Sequence, residues 1–199
     1  MRYSALNGIC LDQQAYHRQD CVVFWKTKEQ WGGLSNMVSG YPLVVNGVRC
    51  FTSEALYQAC RFPHLPDIQQ EILTQKSPMS AKMKSKPHRT NSRPDWEAVR
   101  VPIMAWCVRV KLAQHWDRFA ALLHATGDRP IVEQSRRDVF WGAKIVDDET
   151  LVGANTLGQL LMQLRSQLQE SEAEALRVVL PPQVSEFLLY GQKIKIINR

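Results

Sequence analysis

The apolar positions of this chain change period several times, and each change marks an element. Residues 1–20 show no sustained alternation and predict an irregular arm. Residues 21–25 (CVVFW) form a short, β-rich apolar run that predicts a buried strand. Paired glycines in 31–37 (WGGLSNM) then predict a loop, because glycine reaches backbone geometry closed to other residues. In 43–50 (LVVNGVRC), Asn46-Gly47 between β-branched residues predicts a hairpin with a type I′ turn.

From Phe51 the spacing turns helical. Thr52 or Ser53 can cap a helix that runs through Glu54 to Phe62 and stops at Pro63. A second helix is predicted over 65–76, and Ser77-Pro78 opens a short third one. The Pro-, Arg- and Asn-rich stretch 87–94 reads as a loop. Asp95 is expected to cap a long helix over 96–115, with a kink or restart at Pro102. Helix continues over 119–124, Ile131-Val132 reads as a strand, and 138–144 as a loop. Asn155 is expected to cap a final helix over 156–168, whose Leu157, Leu160, Leu161 and Leu164 share a face. The tail starts acidic and ends in KIKII, the alternation of an edge strand. These elements predict an α+β, helix-dominated single domain with a few short strands and a β-hairpin.

Composition narrows the chemistry. The 199 residues are 45% hydrophobic and 22% charged, which excludes disordered and fibrous classes. Five widely spaced cysteines without a CxxC pair predict reduced thiols in a cytoplasmic protein. No apolar run approaches the roughly 18 residues of a membrane span, and the N-terminal residues do not read as a signal peptide. The net charge is +6. Lys76, Lys82, Lys84, Lys86, Arg89 and Arg93 account for it within one stretch free of Asp and Glu, so that segment is either a phosphate footprint or a solvated lysine-rich loop. Phosphate-loop, dinucleotide, zincin and nucleophile-elbow motifs are absent, and the five histidines lack metal-ligand spacing. Carboxylates, lysines and loop aromatics remain, so no metal or cofactor is expected.

Six segments, in order, resemble the YbiA/NADAR family of N-glycosidases: FWKTKEQWGGLSNM (24–37), FTSEALYQACRF (51–62), SPMSAKMKSK (77–86), RPDWEAVRVPIM (93–104), TGDRPIVEQSRRDVFWGAK (126–144) and LVGANTLGQLLMQLR (151–165). WGAKIVDDETLVGAN stands where the family carries a glycine-rich stretch. The resemblance implies a YbiA-like catalytic domain over 21–169, an arm at 1–20, and an extension at 170–199 packing on the core. It also implies cleavage between a ribose anomeric carbon and an amine nitrogen.

Such a bond breaks through an oxocarbenium-like state, which needs negative charge near the anomeric carbon and a proton donor at the leaving nitrogen. On that resemblance Glu54, in the first turn of its helix, is the expected acid/base residue; the alternative is an acid that merely complements the helix dipole. Lys82 is the expected amine, displacing the base through a Schiff base, against anchoring of phosphate or plain solvation. Asp138 is either a second catalytic carboxylate or a turn cap. Trp31, Tyr57 and Trp141 are expected stacking surfaces, with Gly32 and Gly142 beside two of them. Ser35, Asn36 and Asn155 are expected to bond ribose or phosphate, and Arg61, Arg89 and Arg93 to grip phosphates. Cys60 and Cys107 read as packing residues.

Two substrates fit: ADP-ribose on guanine bases of nucleic acid, set there by a cognate ADP-ribosyltransferase toxin, or a phosphoribosylamino-pyrimidine of riboflavin synthesis. The first is favoured, because the basic stretch exceeds what one small phosphate needs. A non-catalytic reader of ADP-ribose is the competing class, and a structural nucleic-acid binder the third.

Overall fold

The computed structural model describes residues 8–170 and 173–198. In chain order the elements are β1 (Gln14–His17), β2 (Val22–Phe24), β3 (Leu43–Val45), β4 (Val48–Cys50), α1 (Ser53–Ala59), α2 (Pro66–Leu73), α3 (Pro78–Ser85) and α4 (Trp96–Gln114). They continue with α5 (Trp116–Ala125), β5 (Ile131–Ser135), β6 (Ala143–Ile145), β7 (Thr150–Gly153), α6 (Thr156–Gln169), β8 (Leu188–Leu189) and β9 (Gln192–Lys193). The architecture is α+β and helix-dominated, as the periodicity predicts. These elements fall into two compact units.

The helical unit joins residues 36–115 to the tail from 175 onward. It begins with the predicted hairpin: β3 and β4 pair antiparallel, and Asn46 and Gly47 take φ values of 50° and 77°. The Thr52 hydroxyl caps α1 by accepting the Ala55 N–H at 3.2 Å. Every residue of α1 is buried, because α1 packs against α2, α3 and α4 together. It ends at Ala59 rather than Phe62, the last residues closing in tight turns (Arg61 N–H to Gln58 C=O, Phe62 N–H to Ala59 C=O). Helix α2 likewise stops at Leu73, short of the expected Lys76.

Helix α4 corrects two expectations. It runs unbroken through Pro102, so no restart occurs. Asp95 occupies the position before the helix, but its side chain caps nothing; it is held by Arg93 instead.

The tail packs into this same unit. Gln69 donates to the carbonyls of Ala59 and Leu188 and accepts from Tyr190 N–H, and Phe187 packs edge-on against Trp106. The expected KIKII strand is mostly absent: only Gln192 and Lys193 pair, in β9, and Ile197 makes a lone bridge to Val179.

Among the described residues, the sheet unit holds 8–35, 116–170 and 173–174. Its five strands follow the order β1-β7-β6-β5-β2, with β2, β5 and β6 mutually parallel and β7 and β1 antiparallel. Strand β1 corrects the reading of the first 20 residues as wholly irregular: only Tyr16 among its residues is buried, so no alternation was visible. Tyr16 joins Cys21, Val132, Ala143 and Leu151 in one apolar cluster. The segment that departs from the family's glycine-rich stretch forms the β6–β7 hairpin, which corrects the loop expected over 138–144 at its last two residues. No helix among the described residues is long and apolar enough to cross a membrane.

Candidate functional site

The chemistry of the helical unit centres on α1. Glu54 lies in its first turn and is only 5% exposed, and its backbone N–H reaches the Asn36 carbonyl. One carboxylate oxygen, Oε1, accepts from Gln58 Nε2 at 2.9 Å, one turn along the helix. Gln58 Oε1 in turn accepts the Ser85 hydroxyl of α3 at 2.7 Å. Because the amide's two ends have different partners, its orientation is fixed. All three residues are buried. A hydrogen-bonded line thus runs from the acid, through Gln58, to the helix that carries Lys82.

Lys82 sits one turn before Ser85 and is half-buried, whereas Met83, Lys84 and Lys86 are exposed. Pro78, Ala81 and Ser85 are the buried residues of α3. Lys82 falls on their stripe, at the i+4 position from Pro78. It forms no ion pair with any described carboxylate.

The other expected residues of this unit divide. Arg61 lies over the Trp96 ring, with its guanidinium carbon 4.5 Å from the ring centre, and its buried Nε has no acceptor. Burial lowers its pKa from the usual arginine value. The contact limits where the guanidinium can move, and the unpartnered Nε leaves it a donor for an anion. Arg89 is exposed on the 3₁₀ turn of Lys86–Asn91.

Arg93 corrects its expected role. It is 4% exposed, and its Nε and Nη2 donate to the Asp95 carboxylate at 2.6 and 3.0 Å, with Nη2 also bonding the Ser185 carbonyl at 2.6 Å. Its Nε and Nη2 are thus engaged by the protein, while the buried Nη1 has no acceptor. Lys84 meets Glu71 at 4.0 Å, so the basic stretch presents fewer free cations than its sequence suggests.

Tyr57 is also corrected as an open stacking face. It is buried against Trp96, with ring centres 5.1 Å apart, and burial pushes its phenol pKa well above the ordinary value. Asn36 is buried, and its Oδ1 has no hydrogen-bond donor. An orphaned buried acceptor is rare and suits a ligand hydroxyl. A cavity of about 630 Å³ lies elsewhere in this unit, walled by Pro63, His64, Arg93, Asp95 and the tail residues Ser185 and Leu188. Neither Glu54 nor Lys82 lines it.

In the sheet unit, Asp138 is exposed and caps a turn: Oδ1 accepts the N–H groups of Phe140 and Trp141 at 2.9 and 2.8 Å. Trp141 is half-buried and meets Phe140 edge-on. Trp31 is half-buried beneath the Arg129 guanidinium, and Ser35 is buried. The glycines serve close packing. A Cβ on Gly32 would collide with the Lys26 and Thr27 carbonyls, and one on Gly142 with the Glu133 carbonyl.

Asn155 corrects both expectations placed on it. It is fully buried in the left-handed region (φ 51°) and makes no side-chain cap. Its Nδ2 donates to the Ile131 carbonyl and its Oδ1 accepts the Glu133 N–H, which ties the start of α6 to β5. Both ends of its amide are therefore engaged inside the sheet unit.

Three functional candidates were not singled out by sequence: Gln58, Ser85 and Trp96. The first two are polar positions inside helices, and only the packing of α1 on α3 reveals why a glutamine and a serine stand there.

A fold with a buried helix-start acid joined to a lysine-bearing helix defines a class, and comparison with known proteins names it. The NADAR domain family matches residues 23–169. N-glycosidase YbiA of Escherichia coli K12 is 35% identical over 151 residues, covering 75% of this chain and 90% of that protein. Riboflavin biosynthesis protein VVA0006 of Vibrio vulnificus is 32% identical over 191 residues, covering 92% of this chain; the chain spans only 50% of that protein's length. The NMR structure of E. coli YbiA superposes with a TM-score of 0.66 at 33% identity, covering 78% of this chain and 89% of that one. The chain belongs to the NADAR domain family.

Proposed function

We propose that this chain is an N-glycosidase that removes ADP-ribose from guanine bases of nucleic acid and so reverses a toxin's modification. The observation that carries the reading is the buried Glu54 carboxylate, held at one oxygen by Gln58 and linked through Ser85 to the helix of Lys82. Family membership and the relatives named N-glycosidase YbiA support the bond type.

In the proposed reaction the ribose ring opens at the aminal carbon to give an imine with the guanine nitrogen. The Lys82 amine adds to that carbon, its two protons pass by way of Glu54 to the guanine nitrogen, and guanine leaves as the free amine while Lys82 keeps the carbon as a neutral imine. The resulting lysine imine is hydrolysed by one water, which returns Lys82 and releases ADP-ribose. Arg61, held over Trp96, and Arg89 take the pyrophosphate. The Asn36 acceptor takes a ribose hydroxyl. A cognate ADP-ribosyltransferase is the partner that supplies the substrate, and five free cysteines fit the reducing cytoplasm.

A second reading has its own support: relatives named riboflavin biosynthesis proteins in V. vulnificus and in Zea mays, the latter 31% identical over 166 residues. On it the substrate is a phosphoribosylamino-pyrimidine. Incubation with a guanine-ADP-ribosylated oligonucleotide and, separately, with that pyrimidine, followed by mass spectrometry, decides. Free ADP-ribose from the oligonucleotide upholds the first reading, and release from the pyrimidine alone replaces it with the second. Tight binding of ADP-ribose without any turnover makes the protein a reader.

A further inference from the structure

Trp25 directly follows β2 and is 39% exposed, although Val22 and Phe24 before it are buried. Alternation places it on the face of Val23, which packs on the Tyr16 cluster. Two cations lie over its ring: Lys26 Nζ at 5.1 Å and the Arg136 guanidinium carbon at 5.4 Å from its centre.

The register explains this gathering. Phe24 pairs with Glu133 and Ser135 with Lys144, all in parallel strands, so β2, β5 and β6 end on the same side. Trp25 and Lys26 emerge from the first strand and Arg136 and Arg137 from the second, while Lys144 lies on the third. All five are exposed; Lys26 meets Glu29 at 3.5 Å, whereas neither Arg136 nor Arg137 is paired with a described carboxylate. The carboxyl ends of parallel strands are a common place for ligands in α/β sheets. The loop behind is closed by its own backbone: Glu29 N–H bonds Lys26 C=O, Gly32 N–H bonds Glu29 C=O, and Gly32 packs against the backbone of Lys26 and Thr27.

We propose that this strand-end surface binds a single strand of nucleic acid, with one base stacked on Trp25 and successive phosphates neutralised by Arg136, Arg137 and Lys144. The surface deepens the proposed function, on which it rests, by naming the substrate as single-stranded. Strand ends about 5 Å apart spread the cations over roughly 10 Å, more than one pyrophosphate requires. An indole can receive only a base that has left its own stack, which disfavours a duplex.

The test is fluorescence anisotropy of a labelled, unmodified 12-nucleotide DNA strand with the full chain, alongside the same strand as a duplex. Trp25→Ala is expected to weaken binding about tenfold with the salt slope unchanged, and Trp25→Phe to retain most of the affinity. The double variant Arg136→Ala/Arg137→Ala is expected to lower the log–log salt slope by about 1.4, at roughly 0.7 per phosphate on a single strand. If Trp25→Ala lowers the melting temperature, the Arg pair and Trp25→Phe still decide. Wild-type protein that ignores the single strand, variants that bind like wild type, or equal affinity for the duplex overturns the proposal. Because the probe carries no ADP-ribose, its outcome is separate from turnover. Strand binding without ADP-ribose release sinks the glycosidase reading alone; release with no loss in the variants sinks this surface alone.

Discussion

The helical unit and the sheet unit each contain an acid that sequence marks as catalytic, and they treat it in opposite ways. Glu54 is buried, its backbone bonded to Asn36 and its carboxylate bonded one helical turn away to a side chain that is itself anchored on another helix. Asp138 is exposed and uses one oxygen to close its own turn. A buried carboxylate held by a second layer of polar side chains is preorganised and feels a lower dielectric, which strengthens every interaction it makes. A turn-capping carboxylate in water has neither advantage. The contrast separates a site that positions a charge from a loop that spends its charge on local geometry.

The sharpest way to break this comparison is Glu54→Gln. Removing a general acid/base typically costs 10²–10⁴-fold, so kcat should drop about a thousandfold with the far-UV circular dichroism unchanged. Wild-type turnover in the variant would remove Glu54 from the chemistry. Asn155→Ala comes next, as a stability effect in the sheet unit. It strands the Ile131 carbonyl and leaves the Glu133 N–H without its acceptor, and should cost about 2–4 kcal/mol in urea unfolding. A loss well under 1 kcal/mol would mean that the amide does not hold β5.

How much of this was readable in advance depended on whether a residue's partner was local. The β3–β4 hairpin was legible because Asn46-Gly47 encodes its own turn, and α1 because Thr52 caps three residues ahead. Asn155 and Asp95 both occupy cap-like positions, yet each bonds elsewhere: Asn155 to β5, and Asp95 back to Arg93. Position alone cannot tell a cap from a residue recruited by tertiary contacts. Strand β1 escaped notice for a related reason, since it is an edge strand whose only buried side chain is Tyr16. In the candidate site the charged residues were visible, but Gln58 and Ser85 were not, because their meaning lies in a contact 27 residues apart in the chain.

That contact supplies a finer test. Ser85→Ala deletes the hydroxyl that fixes the Gln58 amide while leaving Glu54 and Lys82 in place. A positioning role predicts a fall in kcat of about tenfold at constant KM, with a displaced limb of the pH–rate profile, and Ser85→Thr should recover it. A purely structural serine would lower the melting temperature without moving the pH profile. In the sheet unit, Asp138→Ala should cost about 1 kcal/mol of stability, the worth of a side-chain cap, and Asp138→Asn should restore it by keeping an acceptor oxygen. If Asp138→Asn instead keeps stability but abolishes turnover, Asp138 is more than a turn cap and the contrast fails.

The smallest expected effect concerns Arg93–Asp95, the ion pair that replaced an expected phosphate grip and an expected helix cap. The Arg93 guanidinium bonded to Asp95 holds its carboxyl below the usual carboxylate value. A carboxylate whose folded pKa is depressed binds its proton more weakly when folded than when unfolded. Its stabilising contribution is therefore complete above the unfolded value of about 3.9 and disappears as pH falls through the lower folded value. Asp95 is 39% exposed on its side chain, so solvent screening limits the contribution to below about 1 kcal/mol. Melting temperatures of wild type and Asp95→Asn should differ at pH 6 and converge as pH drops below about 3. A gap that stays constant across that range would show that the carboxylate's charge contributes nothing and that Arg93 is held by the Ser185 carbonyl and its burial alone.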